Sequence, residues 1–174
     1  MFVVMAGLPA SGKSVVASGM QRELDAVILD KDQFRVSLFA DYVDYTREQD
    51  DLCVRVIYDV ACYHLSRRPD KPVILDGRTY SRGYQIAAVK QAAARAAVKV
   101  CFIECVCSAE SARQRLESDR SKHPAKDRDF ALYQRSLSRA EPITEPRLTL
   151  DTDKAGEAEC VQLALRYIRR QQVC

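Results

Sequence analysis

Gly7-Leu8-Pro9-Ala10-Ser11-Gly12-Lys13-Ser14 stands between the apolar run Phe2–Ala6 and the helical pattern Lys13–Leu24. The eight residues match G-x-x-x-x-G-K-[ST] at every fixed position. Each residue type has a physical reason. The glycines let backbone N–H groups turn inward around a phosphate. The helix N-terminus adds partial positive charge at the same point. Lys13 reaches the β- and γ-phosphates, and Ser14 offers a hydroxyl to Mg²⁺. The residues expected to hold nucleotide are therefore Gly7, Leu8, Pro9, Ala10, Ser11, Gly12, Lys13, Ser14 and Val15.

Outward from this loop the chain alternates between two patterns. Phe2–Ala6, Ala26–Leu29, Pro72–Leu75, Val98–Glu104 and Arg147–Leu150 are short, nearly continuous Val/Ile/Leu-rich runs, the signature of strands buried on both faces. Helical patterns follow them: Lys13–Leu24, Gln33–Phe39 with Arg47–Leu65, Tyr84–Ala97, Glu110–Arg120 with Phe130–Arg139, and Ala155–Arg170. Strand then helix, repeated, predicts an α/β P-loop NTPase-type three-layer sandwich with a five-stranded parallel sheet. One domain is expected over 1–174, with a helical lid at about 113–139 around the polar stretch Ser121–Asp129.

Composition narrows the function. At 174 residues, with 47% hydrophobic and 29% charged residues, the chain is neither disordered nor of low complexity. Its net charge of +3 is too weak to argue for nucleic acid, but the charge is unevenly spread. Arg113–Arg139 holds eight Lys/Arg against four Asp/Glu, whereas Asp41–Asp59 holds six acids against two arginines. An anionic ligand should favour the later stretch. The seven cysteines fit neither a disulfide scaffold nor zinc spacing and read as apolar core residues of a reducing cytosol. No apolar run approaches the roughly 20 residues of a membrane span, so a cytoplasmic location is expected.

Carboxylates stand at two further strand ends, where open α/β sheets bind ligands. The second strand runs into Asp30-Lys31-Asp32, with Arg35 one helical turn beyond Asp32. A carboxylate there can take the proton of an attacking hydroxyl, and the guanidinium can hold the acceptor. Asp32 also suits a helix N-cap, and Asp30 suits a metal-bound water or a turn. The third strand runs into Asp76-Gly77-Arg78-Thr79-Tyr80, where Asp76 looks like a Walker B acid supporting Mg²⁺. Arg78, Thr79 and Tyr80 would line an acceptor pocket beside the loop. Among the basic residues, Arg113 and Arg120 share a helical face, Arg115 lies between them, and Arg128 follows the polar segment. Cations there would meet the charge on the transferring phosphoryl group.

Together these residues resemble the small P-loop kinases related to polynucleotide kinase domains and zeta-toxin kinases, of the AAA-type ATP-binding group. The resemblance spans most of the chain. It implies Asp32 as proton acceptor, Arg35 as an acceptor-substrate contact, Asp76 after the third strand, and lid arginines near Arg115 and Arg120. It also implies that Glu141-Pro142-Ile143 and Pro146 approach the adenine pocket. Asp30-x-Asp32 is similar to shikimate kinases, but Asp76-Gly77-Arg78 replaces their glycine run.

The expectation is an ATP- and Mg²⁺-dependent kinase acting on a hydroxyl of a small molecule. Lys13, Asp32 and Arg120 would be catalytic, Arg115 and Arg120 would contact ATP, Ser14 and Asp76 would serve the metal, and Asp32, Arg35, Asp76, Arg78, Thr79 and Tyr80 would serve the substrate. The alternatives are a polynucleotide or nucleoside 5′-hydroxyl kinase and a nucleotide-binding switch without transfer. Nothing marks a nucleic-acid groove, since there is no Trp and the tyrosines are not interleaved with basic residues.

Overall fold

The computed structural model describes residues 1–119 and 128–173. Five strands, β1 (Phe2–Ala6), β2 (Val27–Asp30), β3 (Val73–Asp76), β4 (Val100–Val106) and β5 (Arg147–Asp151), form one parallel sheet in the order β2-β3-β1-β4-β5. The described helices are α1 (Lys13–Leu24), α2 (Lys31–Phe39), α3 (Arg47–Arg67), α4 (Gly83–Arg95), α5 (Ala109–Asp119), α6 (Phe130–Ser138) and α7 (Glu157–Val173). None of them is long and apolar enough to cross a membrane.

The period of two along β1 builds the three layers. Phe2, Val4 and Ala6 pack with Val54, Ile57 and Ala61 of α3 and with Val89 and Ala93 of α4. Val3 and Met5 pack on the opposite face with Val16 and Met20 of α1 and Leu165 and Ile168 of α7. A third, smaller cluster joins Ala10 of the loop to Ala112 and Leu116 of α5 and Tyr133 of α6. Both helices of the basic segment are thereby packed beside the phosphate loop.

The expected strands are all present, with ends shifted by one or two residues. These shifts matter at the sheet's carboxyl edge. Asp30 and Asp76 are the last residues of β2 and β3, and they are register partners in the parallel ladder. Parallel pairing thus sets the two carboxylates side by side, which strand order alone could not reveal. Helix α2 starts earlier than the apolar pattern suggests, because its N-cap is Asp30. The Asp30 carboxylate accepts from the N–H groups of Asp32 at 2.7 Å and Gln33 at 3.4 Å. Asp32 is therefore not the cap, and its side chain is available for other partners. The six described cysteines are unpaired thiols, four of them buried, and burial pushes Cys101 and Cys105 up to about 12.

Candidate active site

The loop residues adopt conformations that only part of the amino-acid alphabet tolerates. Gly7 has φ +132°, and a Cβ there would lie 2.2 Å from the carbonyl oxygen of Cys105. Gly12, at φ +89°, is the N-cap of α1. Gly7 N–H donates to the carbonyl of Thr79, which fixes the loop's start against the β3 end. At its far side, Thr152 Oγ1 donates to the carbonyl of Ser11 at 3.2 Å. Lys13 is only 8% exposed and curls back to donate to the carbonyls of Gly7 at 2.9 Å and Leu8 at 2.8 Å. Burial lowers its ammonium below the ordinary lysine value, with the nearby Asp76 charge opposing.

Two of the cavities that border the loop lie at its Lys13 end. The first, of about 260 Å³, is lined by Lys13, Ser14, Asp32, Arg35, Asp76, Arg78 and Thr79, together with Lys31, Tyr45, Asp50, Gln85 and Arg128. The second, of about 490 Å³, is lined by Ala10–Val16, Arg115, Arg128, Thr152, Ala155 and Glu157. They share Lys13, Ser14 and Arg128.

The first cavity brings together most of the residues singled out from sequence. Arg35 donates through Nη1 to Asp32 at 3.2 Å and through Nη2 to Asp50. Arg78 Nη2 lies 2.6 Å from Asp51 and 3.8 Å from Asp50. Lys31 Nζ reaches Asp50 at 2.5 Å and Asp32 at 3.5 Å. Burial alone would raise the Asp50 carboxyl, but Lys31, Arg78 and Arg35 outweigh it and hold Asp50 below the ordinary carboxylate range. Asp30 goes the other way: burial and the adjacent Asp76 and Asp32 charges raise it, against the pull of its two cap hydrogen bonds.

Tyr80 corrects the sequence expectation. It is 2% exposed, belongs to the apolar core beneath the sheet edge, and lies 3.4 Å from the Tyr58 hydroxyl. Its backbone is at φ +48°, and Tyr80 is not among the residues that line the cavity with Arg78 and Thr79. Of the Glu141–Pro146 segment, Glu141 and Ile143 line a further cavity of about 280 Å³ together with Gly7, Leu8 and Ser11 of the loop. Glu141 accepts from Arg82 at 2.8 Å and from the N–H of Gly83 at 2.6 Å, supplying the side-chain cap that α4 lacks in its own N-cap residue. No residue from this segment lines the larger cavity beside the loop. Arg113 stacks its guanidinium on Phe130, 4.1 Å from the ring centroid. Arg120 lies outside the described residues.

Lys31, Asp50 and Gln85 were not singled out from sequence. Asp50 had a signal: it precedes Cys53 and Val54 by three and four positions, which places it on the buried stripe of α3. Read only as part of an acidic stretch, that position is invisible.

The donor set fits a magnesium ion. Asp76 is 4% exposed, and its Oδ1 is buried with no hydrogen-bond partner. Ser14 lines the same cavity. No group of three His, Cys, Asp or Glu side chains among the described residues could enclose a metal by itself. That suits Mg²⁺, which is usually held by one or two carboxylates plus phosphates and water.

Among curated proteins no sequence match is found. Three solved structures show the likeness of fold. The APS kinase CysC of Mycobacterium tuberculosis, in complex with AMPPNP and APS, is 21% identical with a TM-score of 0.74, over 97% of this chain and 96% of that one. A gluconokinase from Sinorhizobium meliloti is 17% identical with a TM-score of 0.72, over 97% and 91%. Kti12 of Chaetomium thermophilum, in complex with ADP-AlF3, is 17% identical with a TM-score of 0.68, over 97% and 99%. The AAA domain family matches residues 2–143, from the first strand to the segment before the last. The chain therefore belongs to the AAA domain family, and its fold is kinase-like and of the P-loop type.

Proposed function

We propose that the chain is an ATP- and Mg²⁺-dependent phosphotransferase that moves the γ-phosphoryl group to a hydroxyl of a small molecule. One observation carries this reading: two cavities meet at Lys13, Ser14 and Arg128, one bounded by the loop and the other by carboxylates. A nucleotide in the larger cavity directs its terminal phosphate toward the smaller one. A switch without transfer has no use for Asp32 at that junction.

In this reading Gly7–Val15 hold the phosphates, and Arg115 borders the base and ribose together with Thr152 and Ala155. Lys13 and Arg128 face the charge that spreads over the γ-phosphoryl oxygens. Asp32 takes the proton as the acceptor oxygen bonds to phosphorus and the bond to the β-phosphate oxygen breaks. Arg35, Arg78 and Thr79 position the acceptor. Ser14 and Asp76 would hold Mg²⁺, whose chemistry there is neutralisation of phosphate charge. Helices α5 and α6, the described ends of the 113–139 segment, cover the loop. The free buried thiols fit a reducing cytoplasm.

The test is ATP consumption with and without a panel of hydroxyl compounds. Slow turnover alone and rapid turnover with an acceptor are expected. Hydrolysis that no acceptor accelerates, and that Asp32→Asn leaves unchanged, would overturn the reading.

A further inference from the structure

The smaller cavity carries a charge pattern that selects among acceptors. Besides Lys13 and Arg128, which face the phosphate in the reading above, three further cations line it, Lys31, Arg35 and Arg78. Each is already engaged. Asp50 takes Lys31 and Arg35, Asp32 takes a second arm of Arg35, and Asp51 takes Arg78. The three cations thus face three carboxylates, and the two guanidinium groups are largely withdrawn from water: the side chains of Arg35 and Arg78 are 5% and 4% exposed. An anionic acceptor binds a guanidinium best through a parallel pair of N–H groups, and here both terminal nitrogens of Arg35 and Nη2 of Arg78 already have carboxylate partners. A cationic acceptor would meet carboxylates that are already paired.

What these side chains still offer is single hydrogen bonds, two of them from guanidinium groups whose charge is already matched by carboxylates. Nε of Arg35, Nε of Arg78 and Oε1 of Gln85 are buried atoms without a hydrogen-bond partner. All three residues line the cavity, and each is more than nine-tenths buried. An unsatisfied buried polar atom is costly, so such atoms imply a partner. Two are donors and one is an acceptor. A hydroxyl both accepts and donates, and one group after another of this kind matches the set. A volume of about 260 Å³ accommodates a molecule of monosaccharide size beside the terminal phosphate.

We infer that the acceptor is an uncharged polyol, and that Asp50 and Asp51 are specificity residues that neutralise Arg35 and Arg78 against anionic acceptors. This rests on the phosphotransferase reading above. It goes further by fixing the charge class of the acceptor and by giving a role to two acids of α3 that touch no phosphate in that mechanism.

The test separates the two levels. AMPPNP with Mg²⁺ is first titrated into the wild-type protein by calorimetry, and failure to bind would sink the phosphotransferase reading itself. With AMPPNP bound, two matched sets are then titrated: glycerol, xylitol, sorbitol, glucose and myo-inositol against glycerate, xylonate, gluconate, glucuronate and glycerol 3-phosphate. At least one neutral compound is expected to bind at least about tenfold more tightly than every anion. Asp50→Asn should raise anion affinity by at least about tenfold relative to neutral affinity, the usual worth of a hydrogen bond to a charged group. Asp51→Asn is a second route to the same shift should the first variant unfold. AMPPNP binding accompanied by an anion that outbinds every neutral compound, or by no neutral compound binding, would overturn the inference while leaving the phosphotransferase reading standing. A neutral-to-anion ratio unmoved in a folded variant would overturn the role given to Asp50 and Asp51.

Discussion

Arg115 of α5 donates through Nη1 to the backbone carbonyl of Ala10, 3.2 Å away and 105 positions earlier in the chain. The same guanidinium donates to Thr152 Oγ1 at 2.8 Å, to the Thr152 carbonyl at 3.1 Å and to Asp153 at 3.1 Å. One side chain therefore ties the phosphate loop to the end of β5, across the mouth of the larger cavity. This is a mechanical role beside the ATP contact expected from sequence.

Arg115→Ala should consequently loosen the loop as well as remove a charge. Nucleotide affinity should fall by about tenfold or more, the scale of one charge-assisted hydrogen bond. Arg115→Lys should recover only part of it, because an ammonium cannot replace a planar fork that serves several acceptors. Calorimetric titration of both variants with AMPPNP measures this, and equal affinity in wild type and Arg115→Ala would refute it.

Lys13→Ala should cost both binding and stability. Loss of one preorganised phosphate donor lowers transfer by about 10²–10³-fold. The loop carbonyls of Gly7 and Leu8 also lose their shared donor, which should lower unfolding free energy by about 1 kcal/mol. Because burial depresses the Lys13 ammonium, the free protein begins to lose this proton below the ordinary value of 10.5. Nucleotide phosphate restores it. Binding should therefore weaken as pH rises into the alkaline range and take up a proton there. Titrations in buffers of different ionisation enthalpy count that proton, and Lys13→Ala should abolish the uptake.

Asp32→Asn isolates chemistry from folding. The cap of α2 rests on Asp30, so the helix should keep its start in the variant. Transfer should fall about 10²–10⁴-fold, the usual worth of a general base, with AMPPNP affinity nearly unchanged. Single-turnover rates and titrations, taken together, check the split. A wild-type rate in the variant would remove Asp32 from the chemistry.

Asp30→Asn makes a prediction of sign. The folded protein raises the Asp30 carboxyl above its unfolded value of 3.8. Wild type then holds more protons folded than unfolded between these two values, so this group's contribution to stability falls as pH rises through that window. Asn keeps an oxygen that can cap α2 and carries no charge beside Asp76. The stability of the variant relative to wild type should increase with pH from acid to neutral. Urea unfolding at a series of pH values checks it, and a relative stability that is flat or declining would show that Asp30 is not strained by its neighbours.

Local sequence was enough for the fold and for the phosphate loop. Gly7–Ser14 is local: a strand end, a turn needing positive φ at Gly7 and Gly12, and a helix start all fall within eight residues, so pattern and geometry coincide. The five apolar runs and their intervening helices were legible for the same reason, since strand and helix periods are short-range properties. The carboxylate-lined cavity depends on tertiary structure. Asp30 faces Asp76 only because β2 and β3 pair in parallel register. Asp50 reaches Lys31 and Arg35 only because α3 packs beside α2, and Tyr80 is kept from the cavity because its side chain packs in the core. Such contacts join residues from different elements, and the charge balance they create depends on which side chains meet, a property no local stretch of sequence carries.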